Sequence, residues 1–213
     1  MKTVPELIKL CQGEVGVERD GLPGLITWGA IAAALQARHG ETAPVPTTSD
    51  DARFDERTEG LLATLDPKVI STFRHFVCVA KGIAAQFGCD YRMVSGYRDW
   101  DEQDRLYQIC KQGGPHAVPA GWSWHNFKIA GDFGVFKTIA GKSEYLDGGS
   151  FAQQSLADKI HAIIGAQAKA LGMEWGGTWT GRSCDPPHFQ YFMGRSSPND
   201  TDRANFRQKG SVL

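Results

Sequence analysis

The chain has no surplus of positive charge: 23 Lys and Arg stand against 24 Asp and Glu, for a formal net charge of −1. A polybasic face of the kind that binds nucleic acid or anionic lipid is therefore not expected. Long apolar runs are also missing. The longest, Leu25 to Leu35, is too short to span a bilayer, so no integral membrane association is expected. The N-terminus has no uninterrupted apolar stretch before Gln12 and Gly13 and no small-x-small cleavage site, so no conventional signal peptide is read there. The cysteines (Cys11, Cys78, Cys89, Cys110 and Cys184) are odd in number and form no C-x-x-C. They read as free thiols of a chain made in a reducing compartment, not as a disulfide framework. Internal repeats are absent. What is there is a length of 213 residues with 41% hydrophobic and 22% charged residues. That suits a soluble, monomeric protein of one ordinary domain with a small appendage.

Residues 1–40 read as a small helical unit. Thr3-Val4-Pro5-Glu6 is a capping box opening one helix, and Thr27 caps a second that ends near Gly40. Residues 41–55 combine Pro44, Pro46, Thr47-Thr48-Ser49 and Asp50-Asp51 without apolar periodicity, which marks a linker. The main unit follows over 56–195, with a polar tail, frayed or laid over the surface, from 196 to 213. In the main unit Asp66-Pro67 opens a helix running to Phe87, with Val69, Phe73, Phe76, Ala80, Ile83 and Phe87 on one stripe. Tyr91–Ser95 reads as a short strand, and Asp99-x-x-Glu102 caps a helix through Cys110. Ile129–Phe136 reads as a strand, Ser150–Leu171 as a second long helix, and His188–Phe192 as a last short strand. Helices interleaved with a few short strands predict an α+β fold.

Two clusters carry chemistry. Ser123-Trp124-His125-Asn126-Phe127 leads through Lys128 to Gly131-Asp132, and Asp185-Pro186-Pro187 leads to His188-Phe189-Gln190. Each offers one imidazole and one carboxylate. Two histidines and one carboxylate make up a hydrolytic zinc site with an open position, leaving the other carboxylate free as a general base. Spacing alone does not say which carboxylate takes which role. The Pro-Pro pair stiffens the turn between Asp185 and His188, which could hold a base near a metal without coordinating it. Taken singly, each histidine could equally be a hydrogen-bonded structural one.

Five ordered blocks then narrow the reading: Ser95-Gly96-Tyr97-Arg98; Glu102-Gln103 with Leu106-Tyr107; Ser123-x-His125 with Asp132; Leu171-Gly172-Met173-Glu174-Trp175-Gly176-Gly177-x-Trp179; and Asp185-x-x-His188-Phe189-Gln190. In this order and spacing, from about Arg57 to Phe192, the chain resembles the zinc D-alanyl-D-alanine carboxypeptidase and L-alanyl-D-glutamate endopeptidase family, which includes VanY-like carboxypeptidases and several phage endolysins. The resemblance implies a small antiparallel sheet flanked by helices, as in Hedgehog and DD-peptidase folds. It implies one Zn²⁺ per chain on His125, Asp132 and His188, with Asp185 as general base. Arg98 would face the substrate, where its planar, permanently charged fork suits a carboxylate or the scissile carbonyl. The alternative for Arg98 is an ion pair with Asp99 or Asp101. Gln103 and Ser123 fall on positions near the substrate, with a helix-surface Gln and a loop-capping Ser as alternatives.

The sequence departs from the family at two points. Lys128 stands where glycine is usual, and Gly131 where a small aliphatic residue precedes the aspartate. Lys128 reads as pointing to solvent. His39, His75, His116 and His161 lack a carboxylate at ligand spacing and are expected on the surface or a helix face. Cys184 reads as a packing thiol, Trp175 and Trp179 as cleft or core aromatics, and Glu174 as a substitute base. A segment from Val15 to Ile31 resembles one half of peptidoglycan-binding helical modules, beside the plainer reading of a structural helix pair.

The resemblance implies a peptidase acting on the peptide stem of peptidoglycan, cutting as an L-alanyl-D-glutamate endopeptidase or a D,D-carboxypeptidase. The rival from another class is a non-catalytic wall-binding module that keeps the metal fold. Such an enzyme, made in the cytoplasm, is expected to reach the wall through a phage pore or a secretion machine.

Overall fold

The computed structural model describes residues 53–213. The helical unit expected over 1–40, with Cys11 and His39, and most of the expected linker lie outside the described residues.

Helix α1 (Glu56–Leu62) is capped by Asp55, whose carboxylate accepts from the Thr58 amide. Helix α2 (Pro67–Ala85) starts where the sequence predicts, with Asp66 as N-cap and Pro67 in the first turn. Strand β1 (Asp90–Ser95) is followed by α3 (Trp100–Lys111), whose cap Asp99 accepts from the Glu102 amide. Strand β2 (Ala130–Ile139) is longer than predicted and turns back into β3 (Lys142–Tyr145). Helix α4 (Phe151–Ala168) passes through a single 3₁₀ turn to β4 (Met173–Trp175), and β5 (His188–Tyr191) completes the sheet. The strand order is β1-β2-β5-β4 with β3 on β2, and every pairing is antiparallel. The fold is α+β, as expected.

Strand alternation assigns the faces. Phe133 on β2 and Phe189 on β5 point into the core, where Phe76 lies 5.1 Å from Phe133 and 4.5 Å from Phe189 by ring centroid. Tyr91 on β1 stacks on Phe133, with ring planes 3° apart. Helices α2 and α4 pack on each other and on this aromatic layer. The neighbours one residue away, Asp132 and His188, therefore face the other side of the sheet.

His161 lies on a helix face, one of its two expected places, but on a buried one. It is fully buried on α4, accepting at Nδ1 from the Tyr91 hydroxyl (2.9 Å) and donating from Nε2 to Asp147 (2.6 Å). Its carboxylate partner lies across the β3–α4 turn, out of reach of any local spacing rule.

The segment read as a polar tail contains a fifth helix, α5 (Asp200–Lys209), opened by an Asn199–Asp202 capping box and closed by Gly210. Phe206 packs on Phe127 at 5.2 Å. Arg203 donates to the Gly121 carbonyl (3.0 Å) and lies over Trp122, while Arg207 lies over Trp100 and Arg195 over Trp124. Guanidinium faces on indoles attach this helix without an apolar stripe, which is why hydropathy patterning does not reveal it.

Candidate metal centre and its cleft

Sheet register builds the centre. Asp132 on β2 lies directly opposite His188 on β5, and also pairs with Ser95 beyond a register shift between Met93 and Ser95 on β1. An irregularity of this kind re-aims side chains at the end of a strand. His125 comes from the 3₁₀ turn Trp124–Phe127, capped by Ser123, whose hydroxyl accepts from the His125 amide at 3.4 Å. Lys128 closes that turn in the left-handed region, at φ 63° and ψ 25°. Glycine adopts this conformation at least cost, so Lys128 holds it against the usual preference of a side-chain-bearing residue. The Lys128 ammonium lies 5.2 Å over the Tyr97 ring, so the side chain packs on an aromatic face instead of standing free in solvent. At Gly131 a Cβ would come within 2.5 Å of the Met93 methyl and 3.2 Å of the Ser95 carbonyl, so Met93 fills the space a small aliphatic side chain would take.

Three donor atoms converge. His125 Nε2, Asp132 Oδ1 and His188 Nδ1 are each 3.2 Å from the other two. His125 Nδ1 lies 2.7 Å from the Gly96 carbonyl, which only accepts, so Nδ1 carries the proton and Nε2 presents its lone pair. His188 Nε2 lies 2.9 Å from Gln190 Oε1, which leaves Nδ1 facing the centre. Three lone pairs pointed at one spot repel each other unless a cation lies between them, so the set fits a metal ion.

The charges of the three donors are coupled. Burial raises the pKa of the Asp132 carboxyl, but the two imidazoles beside it overcome that and hold it well below the carboxylate range. Burial also opposes a charge on His188, yet its bond to Asp132 and the Asp132 and Asp185 charges push its pKa up. For Asp185, burial and then the negative charge of Asp132 push the carboxyl up.

Asp185 stands at the lip of a cleft of about 680 Å³ that contains all three donors. It is fixed through its backbone: its amide donates to the Gly176 carbonyl (3.0 Å), and its carbonyl accepts from the His188 amide (3.1 Å) across Pro186-Pro187. Its side chain is not one of the converging donors. A Cβ on Gly176 would meet the Asp185 carbonyl at 2.6 Å and the His188 Cβ at 3.0 Å. Gly176→Ala is therefore expected to cost about 1–3 kcal/mol, read as a lowered midpoint of denaturant unfolding.

Arg98 pairs with neither Asp99 nor Asp101. It donates to Gln103 Oε1 (2.9 Å), Ser95 Oγ (3.2 Å) and Asp132 Oδ2 (3.3 Å). Gln103 is buried, not on the helix surface, and its amide also donates to the Val118 carbonyl (2.6 Å), joining Arg98 to the loop that forms one cleft wall. Asn126 ties the same region together, donating to the Arg98 carbonyl and accepting from the Gly121 amide. Trp179 lines the opposite wall with its ring 5.0 Å from that of His188, whereas Trp175 is buried and stacks on Phe189.

Cys184 corrects the packing-thiol reading: it is exposed, with only a long contact from its sulfur to the Gly177 carbonyl. Glu174 does not line the cleft. Its two oxygens accept from Trp179 Nε1 (3.0 Å) and Gln190 Nε2 (3.1 Å), so it does not serve as a substitute base. His116, set aside as a ligand, is exposed on the loop wall of the cleft. The sequence signal for the Gln190 contact was its place two residues beyond His188 on one strand, which puts both on one face.

Residues 117–191 match the profile of the D-alanyl-D-alanine carboxypeptidase family. The chain is also 35% identical over 116 residues to the peptidoglycan L-alanyl-D-glutamate endopeptidase CwlK of Bacillus subtilis (strain 168), a match covering 52% of this chain and 65% of that protein. The chain thus spans slightly less than two thirds of the length of this curated relative. Both matches support the family that the ordered sequence blocks resemble.

Proposed function

We propose that this chain, whose residues 117–191 match the profile of the D-alanyl-D-alanine carboxypeptidase family, is a zinc-dependent peptidase that hydrolyses the peptide stem of bacterial peptidoglycan. The observation that carries this reading is the donor triangle. A tetrahedral zinc site with bonds of roughly 2.0 Å has donor–donor edges of about 3.3 Å. The edges here are 3.2 Å. Two imidazoles and one carboxylate leave a fourth position for water or substrate.

His125, Asp132 and His188 would hold the zinc, which would supply Lewis-acid polarisation of the scissile carbonyl and activation of the attacking water. Asp185 accepts the proton of the attacking water and returns it to the leaving amine. Its position suits that task, because it lines the cleft that contains the three donors without being one of them. Arg98, braced by Gln103 and Ser95, places fixed positive charge at the cleft wall, where it supports the developing oxyanion or a substrate carboxylate without reorganising. Gln103 serves the substrate site through Arg98, and Ser123 serves it by capping the His125 turn.

The named activity of the relative favours the bond between L-alanine and D-glutamate. Digestion of purified peptidoglycan by zinc-loaded protein, with mass analysis of the new termini, tests this. A new free amino group on D-glutamate is expected, lost on chelation and regained on adding zinc. Release of free D-alanine instead would assign carboxypeptidase action, and unchanged termini would overturn the peptidase reading.

A further inference from the structure

We propose that Glu174 is a positioning residue for the metal centre: acting through Gln190, it fixes which nitrogen of His188 faces the metal, and through its second oxygen it ties that choice to the cleft wall at Trp179. The inference rests on the zinc reading above.

Sheet register again supplies the arrangement. Glu174 on β4 lies directly opposite Gln190 on β5, just as His188 lies opposite Asp132 on β2, so all four side chains share one face. The Gln190 amide nitrogen has two neighbours, Glu174 Oε2 at 3.1 Å and the Ser196 carbonyl at 3.5 Å. A carboxylate and a carbonyl only accept. Turning the amide over would set its oxygen against both acceptors and leave a buried donor facing His188. Gln190 Oε1 is therefore held toward His188 Nε2, which must donate, and the lone pair of His188 is left on Nδ1. A proton on Nδ1 would point between His125 and Asp132, where the metal belongs. Glu174 thus selects the binding-competent tautomer without touching a ligand.

The second Glu174 oxygen accepts from Trp179 Nε1 at 3.0 Å, and the Trp179 ring rests against His188 at 5.0 Å. Glu174, Gln190, His188 and Trp179 form a closed circuit that joins the metal ligand to a wall of the cleft. Outer partners of metal-bound histidines commonly change metal affinity by 10–100-fold when removed.

The test is zinc affinity of the full chain, by competition with a chromophoric chelator, alongside the unfolding temperature of the metal-free protein. In Glu174→Gln, one side-chain oxygen is contested by two N–H donors, so zinc binding is expected to weaken about tenfold or more with the metal-free unfolding temperature unchanged. Adding Trp179→Phe removes the indole N–H and frees that oxygen for Gln190, so the double variant is expected within about threefold of the wild type. Glu174→Gln binding within threefold of wild type, or a double variant as weak as the single, would overturn the proposal. Should Glu174→Gln fail to fold, Gln190→Leu, which removes the acceptor itself, is held to the same tenfold expectation and the same threefold limit. A wild-type chain that takes up no zinc would overturn the zinc reading itself, whereas wild-type uptake with an unaffected Glu174→Gln overturns this inference alone.

Discussion

Replacing His188 with alanine should abolish stoichiometric zinc uptake and peptidoglycan cleavage together. His188 provides one of three donors, and it is the donor whose position depends on the pairing of β5 with β2. A metal's electrostatic stabilisation of a transition state amounts to several kcal/mol, so the rate should fall on the order of 10³-fold or more. A thermal measurement separates loss of metal from loss of fold. Zinc at a hundred times its dissociation constant stabilises the native state by about 2.7 kcal/mol, which raises the wild-type unfolding temperature. In His188→Ala that rise should disappear, while the metal-free variant still unfolds cooperatively. A variant that retains wall-degrading activity would remove the metal centre from the mechanism.

Asp185→Ala makes the opposite separation. Zinc uptake and any wall binding should persist, because the Asp185 side chain is not among the converging donors and its backbone bonds to Gly176 and His188 remain available. Cleavage should fall by about 10²–10⁴-fold, the contribution of a positioned general base. This variant decides between an enzyme and a wall-binding module that keeps its metal for stability. A binder loses nothing when Asp185 is removed, whereas a peptidase loses its proton acceptor. Cleavage within tenfold of the wild type would show that another group takes the proton.

The parts of the site legible in the sequence were those set by residue type and local chain chemistry. His125, Asp132, Asp185 and His188 stood out as paired imidazoles and carboxylates at turn and strand edges, and their order along the chain carried the family resemblance. Asp66-Pro67 and Asp99-x-x-Glu102 marked helix starts correctly, because a cap needs only neighbours within one turn. The relations that were not legible join residues far apart in the chain. His161 meets Asp147 and Tyr91 only when α4 packs on the sheet. Gln103 turns inward because the Val118 carbonyl and the Arg98 guanidinium meet there. Arg98 pairs with Asp132 instead of the adjacent Asp99, whose carboxylate is occupied as a helix cap.

The sequence by itself thus determined a near-neutral chain with an α+β core, capped helices, and the residue types of a candidate metal site. Only the tertiary structure decided that the donors converge. Antiparallel register sets Asp132 against His188 and Gln190 against Glu174, and a one-residue slip of β5 would send His188 and Gln190 to the core face. Pairing between strands, which no local rule encodes, brought the three donor atoms together.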